Sequence, residues 1–205
     1  MAKTSGGIAK RKGGLPEGDF DFKGKVGKPE SLVNIQNTSV YKSVKQSISR
    51  YHSVLGVRQT DVKLADMKAG VGGVHITSDG KSKQVLLNSK VFKNGTKSSV
   101  SSWSETGYKS GYLTKTNKPI SHIVTHELAH ATWNSNLKAP NAKAAGRDIK
   151  ELFNKFTKDK KKSGYGKYAY INPSEFWVEV STKAVHDKPD KYTRSVKSII
   201  KKYKL

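Results

Sequence analysis

One segment constrains the fold of this chain more than any other. Residues 120–133 are mostly apolar apart from their histidines and Glu127, and the run is long enough for a buried helix. It contains the sequence H-E-L-A-H, in which His126 and His130 stand four residues apart. On a helix these two side chains lie one turn apart on one face, so both imidazoles can bind one metal ion. Glu127 follows the first histidine and points at the same ion and its water.

A zinc ion that catalyses hydrolysis needs a third protein ligand and one open coordination position. The chain has no cysteine, which excludes thiolate ligands, cysteine nucleophiles and disulfides. His122, His186 and downstream carboxylates are therefore the candidates. His122 lies one turn before His126 on the same helix, and three ligands in a row over two turns cannot all reach one ion at about 2 Å. We interpret His122 as a histidine that supports the site or lies at the surface.

A second helix, predicted to start at residue 172 and to run to about residue 186, offers a better third ligand. Glu175 and Glu179 stand four residues apart, so both face one side of this helix while apolar residues pack the remainder. Two carboxylates on an otherwise apolar face need a cation or strong hydrogen-bond donors. A zinc ion meets that need for Glu175, and Glu179 can accept a hydrogen bond from the other ring nitrogen of a ligating histidine. Without a metal, the pair would be an ordinary solvated face.

The N-terminal half of the chain divides into a tail, a helix and a small group of strands. Residues 1–37 are rich in Gly, Lys, Pro and Asp with almost no periodicity, which predicts a basic flexible tail or a loosely docked arm. Apolar residues then recur every three or four positions from Val40 to Leu55, which predicts an amphipathic helix. Three short runs follow, and a turn at residues 79–80 makes the last two a predicted β-hairpin with a further strand before it: 62–64, 72–77 and 84–88.

The C-terminal half is predicted to be mainly helical. Residues 93–119 are rich in Ser, Gly, Thr and Lys and are predicted to form a long loop. Beyond them, further helices are predicted at residues 120–133, 144–156, 172–186 and 191–203. A helix, a small antiparallel sheet and a mainly helical half together indicate an α+β fold. We expect residues 38–205 to form a single domain.

The chain is strongly basic, with 39 Lys and Arg against 16 acidic residues and a formal net charge of +23. This imbalance predicts salt-sensitive attraction to polyanions such as nucleic acid, anionic lipid or acidic proteins, without choosing among them. The start of the chain has no apolar stretch typical of a secretory signal, and no apolar run approaches the length of a bilayer span. We therefore expect neither a signal peptide nor a transmembrane segment.

The sequence H-E-L-A-H, followed by Y-A-Y-I-N-P-S-E-F-W-V-E at residues 168–179, resembles the gluzincin metallopeptidases of the anthrax lethal factor type. Relatives of that group occur as toxin domains and in bacteriophage head-associated proteins. The resemblance covers about residues 70–185. It implies a zincin-like fold, in which an edge strand lies over the active-site helix, and a Zn²⁺ cofactor bound by His126, His130 and Glu175.

The resemblance also implies roles for residues around the metal. Glu127 would be the general base, and Glu179 would support a metal ligand. Tyr168 would donate a hydrogen bond to the reacting carbonyl oxygen, with Tyr170 as the alternative. Enzymes of this group offer an edge strand to an extended substrate. In this chain the corresponding strand would be the one made of Gly73, Val74, His75 and Ile76, or its neighbour that ends at Asn88.

Two kinds of function follow as expectations. The first is a zinc-dependent endopeptidase that hydrolyses a protein or peptide substrate through a metal-activated water, phage-encoded or toxin-like, with a host protein as the target in the toxin case. The alternative is a basic, nucleic-acid-associated structural phage protein with an inactive zincin fold, in which the positive charge would be the functional part. Either protein would be cytoplasmic or packaged in a virion.

Overall fold

The structure is a computed structural model that describes residues 25–57, 59–78, 81–136, 140–159 and 164–205. Within these ranges the chain is mostly helical with one three-stranded sheet, so the α+β class is confirmed in this coarse form. No helix within them has both the length and the apolar character needed to cross a bilayer. The elements are α1 Thr38–Leu55, β1 Val62–Ala65, β2 Gly73–Ser78, β3 Lys81–Asn88, α2 Ser89–Phe92, α3 Lys97–Lys109, α4 Pro119–Asn136, α5 Ala142–Lys158, α6 Pro173–His186 and α7 Lys191–Tyr203.

The sheet has the strand order β1-β3-β2. Strands β2 and β3 pair antiparallel, as expected of a hairpin, although its turn at residues 79–80 lies outside the described residues. Strand β1 pairs with β3 in parallel, so the prediction of an antiparallel sheet is wrong for this strand. The reason is topological. The connection at residues 66–72 places β2 one strand position away from β1, and β3 then returns antiparallel to β2 into the gap between them. Both strands beside β2 in sequence therefore run in the direction opposite to β2.

The two edges of the sheet differ. Residues 27–30 cover the outer edge of β1, where Gly27 N–H donates to Asp66 O and Glu30 exchanges two backbone hydrogen bonds with Leu64. Ile35, only 4% exposed, also packs into the core, so residues 25–37 lie against the domain as an arm. Residues 1–24 of that predicted tail lie outside the described residues. In the described part of the chain, the outer edge of β2 carries no partner strand.

The direction of the backbone groups on β2 follows from its pairing with β3. Asn88 N–H donates to Gly72 O at 3.0 Å, which makes this opposed pair a hydrogen-bonded one. Hydrogen bonding alternates along an antiparallel pair. The N–H and C=O groups of Gly73 and His75 therefore point away from β3, towards the open edge.

Helix α4 lies at the centre of the molecule, packed against β2, β3, α1, α3 and α6. Apolar side chains of β1 and β3, including Leu64, Val85 and Leu87, face the helices and join the main core. The opposite face of the sheet has a smaller apolar cluster around Met67 and Leu86. A central helix covered on several sides explains why residues 120–133 are so apolar.

Helix α3 occupies much of the segment that the sequence predicts to be a loop, and that prediction is wrong for Lys97–Lys109. Thr96 caps the helix by accepting a hydrogen bond from Ser99 N–H, and the Ser99 hydroxyl accepts one from Thr96 N–H. Val100 and Ser104 are buried where α3 packs against α4. Packing and this capping box stabilise a sequence whose Ser and Gly content gives it little intrinsic helix propensity.

Candidate metal centre

Helix α4 presents two histidines on one face, as the four-residue spacing requires. The Nε2 atoms of His126 and His130 lie 3.1 Å apart, and both side chains are buried. Glu127 lies between them in sequence and is half-buried. The two imidazoles therefore direct nitrogen atoms at one point beside the helix.

Helix α6 supplies a carboxylate to the same point. Asn172 caps this helix by accepting a hydrogen bond from Glu175 N–H at 2.8 Å, and Pro173 occupies its first turn. The Oε2 atom of Glu175 lies 3.7 Å from His130 Nε2 and 4.0 Å from His126 Nε2. The packing of α6 against α4 thus brings Glu175 to two histidines that lie 45 and 49 residues before it in sequence.

These three atoms fit a single metal ion. A tetrahedral ion with bonds of about 2.0–2.1 Å separates its ligand atoms by ~3.4 Å, and the observed separations of 3.1, 3.7 and 4.0 Å lie on either side of that value. The Oε2 atom of Glu175 is buried and has no hydrogen-bond donor within 3.5 Å among the described residues, although the nearby Tyr168 hydroxyl lowers the pKa of the carboxyl. A buried carboxylate oxygen without a donor is costly unless a cation binds it. His126, His130 and Glu175 could therefore hold a metal ion.

The electrostatics of the group point the same way. Burial raises the pKa of Glu175 to about 8, although the nearby charge of His126 opposes the shift. Burial also lowers the pKa of His130 well below its ordinary value, and the charge of His126 adds to that effect. Without a cation the group thus disfavours a charged Glu175 and a charged His130. A metal ion reverses this preference for the carboxylate and needs the neutral form of the imidazole.

Glu179 fixes the orientation of His126. Its Oε1 atom lies 2.9 Å from His126 Nδ1, and its Oε2 atom accepts a hydrogen bond from Thr114 N–H at 2.6 Å. Burial raises the pKa of Glu179, but the hydrogen bond from His126 and the charges of both neighbouring histidines outweigh that effect and lower it. The same contact with Glu179 raises the pKa of His126 to about 9, against the lowering effect of burial.

A second group, formed by His122, His126 and Glu179, also has the composition of a metal site. Its carboxylate already accepts two hydrogen bonds, one of them from the His126 nitrogen that a metal would need. Its His122 Nε2 atom lies 3.7 Å from Glu179 Oε1. Glu179 and the His126 Nδ1 atom are thus already engaged, whereas Glu175 Oε2 is not, so the group that contains Glu175 is the stronger candidate.

His122 and His186, the other candidate ligands from the sequence, do not join Glu175. His122 is 1% exposed, so it is a buried neighbour of Glu179 rather than a surface histidine. The Nε2 atom of His186 lies 3.1 Å from Thr125 Oγ1. Burial lowers the pKa of each of the two histidines to about 4.

Tyr168 lies against the candidate metal ligands and Tyr170 does not. The ring of Tyr168 is parallel to that of His126, with centroids 5.5 Å apart. Burial raises the pKa of Tyr168, and the negative charge of Glu175 raises it further. Tyr112 stacks on the other side at 4.8 Å, and its carbonyl accepts the Tyr168 N–H. Tyr170 is 39% exposed and packs on Phe156 instead. Tyr112 and Thr114 are site residues that no local pattern in the sequence indicates.

Strand β2 passes directly beside Glu127. A Cβ atom added to Gly73 would lie 2.8 Å from Glu127 Cγ and 3.0 Å from Leu86 O, so only glycine permits this approach. The His75 side chain is 2% exposed, with Nδ1 3.0 Å from Asn134 Nδ2, and burial lowers its pKa to about 4. Val74 packs in the smaller apolar cluster, with the half-buried Ile76 against it. The strand therefore offers its open edge through backbone groups, while the side chains of Val74 and His75 point into the protein.

Burial also acts on Glu127, whose pKa it raises to about 7 against the opposing charge of His126. A carboxylate with this pKa can take up and release a proton near neutral pH.

Comparison of the chain with protein-family models, with curated proteins and with solved structures found no match.

Proposed function

We propose that the protein is a zinc-dependent endopeptidase that hydrolyses a protein or peptide substrate. The observation that carries the proposal is the convergence of Glu175 Oε2 with the Nε2 atoms of His126 and His130, because that oxygen is buried with no donor within 3.5 Å in the described part of the chain. Two histidines and one glutamate form a ligand set that catalytic zinc uses, with a fourth position left for water. Bound zinc would lower the pKa of that water towards 7 and polarise the substrate carbonyl.

Glu127 is the proposed general base. It follows His126 on α4 and is half-buried, and its raised pKa matches a group that exchanges protons near pH 7. Its carboxylate would take a proton from the attacking water and pass that proton to the leaving amine. The absence of a side chain at Gly73 lets Glu127 lie close against the backbone of β2.

Tyr168 is the proposed donor to the oxyanion of the tetrahedral intermediate. Its ring is held between those of His126 and Tyr112, so the hydroxyl cannot swing away freely. Because burial and Glu175 raise its pKa, the hydroxyl keeps its proton and can donate at neutral pH. Such a donor contributes ~3 kcal/mol to transition-state stabilisation.

The substrate would bind as an added strand on β2. The backbone groups of Gly73 and His75 face the open edge, beside Glu127, and the edge carries no partner strand in the described part of the chain. Main-chain hydrogen bonds of this kind bind an extended peptide with little regard to its side chains. This arrangement favours a flexible segment of a protein as the substrate.

The decisive experiment is the zinc content of the purified protein, measured beside that of Glu175→Ala. We expect about one zinc ion per chain in the wild type, because three ligands define one site, and a lost or weakened ion in the variant. Glu127→Gln should keep the metal and lose peptide hydrolysis. A wild-type protein without zinc after addition and dialysis, or a Glu127→Gln variant of equal activity, would contradict the proposal.

The alternative function is a nucleic-acid-associated structural protein in which the zincin fold is inactive. The net charge of +23 favours it, since that charge exceeds what solubility needs. Steeply salt-dependent DNA binding together with no bound zinc would support this alternative. Nucleic-acid binding by itself is compatible with peptidase activity, because the cationic residues and the proposed metal ligands are different residues.

A further inference from the structure

We propose that α5 and α7 together form a surface that binds nucleic acid. The two helices comprise 30 residues, of which ten are Lys or Arg and two are acidic. They pack antiparallel, because the last turn of α7 contacts the N-terminal half of α5 and the start of α7 contacts the end of α5. The ion pairs that show this are Lys202 with Asp148 and Lys191 with Asp159. The fraction of Lys and Arg in these two helices is higher than in the rest of the described chain.

The carboxylates in and beside the two helices already have partners. Asp148 accepts hydrogen bonds from Lys202 and Tyr203, and Asp159 accepts one from Tyr192. Glu151 pairs with Lys155 at 2.7 Å. Six further cations are exposed and have no carboxylate within 4.0 Å among the described residues: Lys143, Arg147, Lys150, Lys158, Arg194 and Lys201.

These cations are not needed to hold the helices in place. The inward faces of α5 and α7 are apolar, with Ile149, Phe156, Val196 and Ile200 buried. Like charges gathered on one outward surface repel each other and oppose folding. A polyanion that neutralises them would remove that repulsion and release counterions.

The spacing of the cations suits a nucleic acid backbone. Lys143 and Lys158 are fifteen positions apart on α5, which corresponds to about 22 Å along the helix axis. Phosphates recur every ~3.4 Å along one strand of a duplex. The length of α5 therefore spans about six phosphates of one strand.

A membrane surface is a poorer match. Helices that bind membranes insert apolar side chains as well as placing cations at the headgroups. The exposed large hydrophobic residues in the described part of the chain are Val33, Tyr112, Tyr170 and Ile171, and none of them lies on α5 or α7. Charge without exposed apolar area favours the phosphates of a nucleic acid.

The surface lies on the far side of α6 from the metal ligands. Phe153 and Phe156 of α5 and Tyr192 of α7 pack on Phe176, whose neighbour in sequence, Glu175, faces α4. Nucleic acid bound there would leave the edge of β2 open. The inference is thus independent of peptidase activity.

The test compares two variants of the full chain that carry the same net charge. One replaces Arg147, Lys150, Arg194 and Lys201 by Gln, and the control replaces the exposed Lys42, Lys45, Lys109 and Lys115 by Gln. Binding of a fluorescein-labelled 20-base-pair DNA duplex is followed by anisotropy at several salt concentrations. Circular dichroism before the titration checks that both variants are folded.

We expect the first variant to bind at least ~10-fold more weakly at moderate salt, with a salt slope reduced by about 3, and the control to change little. Equal losses in the two variants would overturn the proposal, because binding would then follow net charge alone. The proposal also fails if the wild type binds vesicles containing anionic lipid but not the duplex. Zinc content is unaffected by either result, so failure here is distinguishable from failure of the peptidase proposal.

Discussion

The carboxylate of Glu179 holds His126 by its Nδ1 atom, at 2.9 Å, while its second oxygen accepts the backbone N–H of Thr114. A carboxylate in this position keeps the proton on Nδ1, so that a metal ion would displace the proton of Nε2 and bind the imidazole through that atom. The contact therefore decides which nitrogen of His126 is available to a metal.

Replacing Glu179 by Ala should weaken zinc binding by about 10- to 100-fold, because His126 loses the partner that orients its ring and raises its basicity. The affinity is measured by competition with a chromophoric chelator at fixed pH. Glu105→Ala is the matched control, since this glutamate is exposed on α3. An unchanged affinity in the Glu179 variant would contradict the assigned contact.

Gly73→Ala should reduce peptide hydrolysis at least ~10-fold without loss of zinc. The added methyl group would lie 2.8 Å from Glu127 Cγ, so either the glutamate or the edge strand must move, and such small displacements of catalytic groups are costly. Steady-state kinetics and zinc content are measured together. Ile76→Val on the same strand serves as the control, and equal rates in the two variants would show that the close approach has no role.

Tyr168→Phe should lower kcat/KM by about 100-fold, the effect expected when one donor to the oxyanion is removed. The ring and its stacking on His126 are retained, so zinc content should not change. Tyr170→Phe should behave as the wild type, because that ring packs on Phe156. If the Tyr170 variant lost activity and the Tyr168 variant did not, the assignment of the two tyrosines would be reversed.

The stability of the metal-free protein should fall between pH 6.5 and about 4. Burial lowers the pKa of His186 to about 4, so in this window the unfolded chain binds a proton that the folded protein does not. Stability therefore rises with pH, by up to about 1.4 kcal/mol per pH unit for this residue. Urea unfolding in the presence of a chelator measures the slope, and His186→Gln should reduce it. A slope that is the same in both proteins would show that His186 titrates normally when folded.

The candidate metal ligands could be predicted from the sequence because their spacing is local. His126 and His130 lie on one turn of α4, and Glu175 and Glu179 lie on one turn of α6, so each pair is visible as an i, i+4 pattern. That α6 packs on α4 with these faces together is a tertiary fact, which the sequence only suggests through the cost of buried carboxylates.

The remaining features depend on contacts between distant parts of the chain. Thr114 reaches Glu179 through its backbone N–H, which no side-chain pattern can indicate. The parallel pairing of β1 with β3 depends on where β3 inserts, and α3 depends on packing against α4 rather than on helix propensity. His75 shows the limit of reading an edge strand from its sequence, since its side chain turns inward to Asn134.

The segment at residues 27–30 has a practical consequence for shortening the chain. By pairing with Leu64 and Asp66 it shields the outer side of β1. A truncated chain that began at Thr38 would expose the unpaired N–H and C=O groups of β1 in addition to those of β2. Sheets with two exposed edges can pair edge to edge and aggregate. Trimming of the N-terminus should therefore stop before residue 25 if the shortened protein is to stay monodisperse.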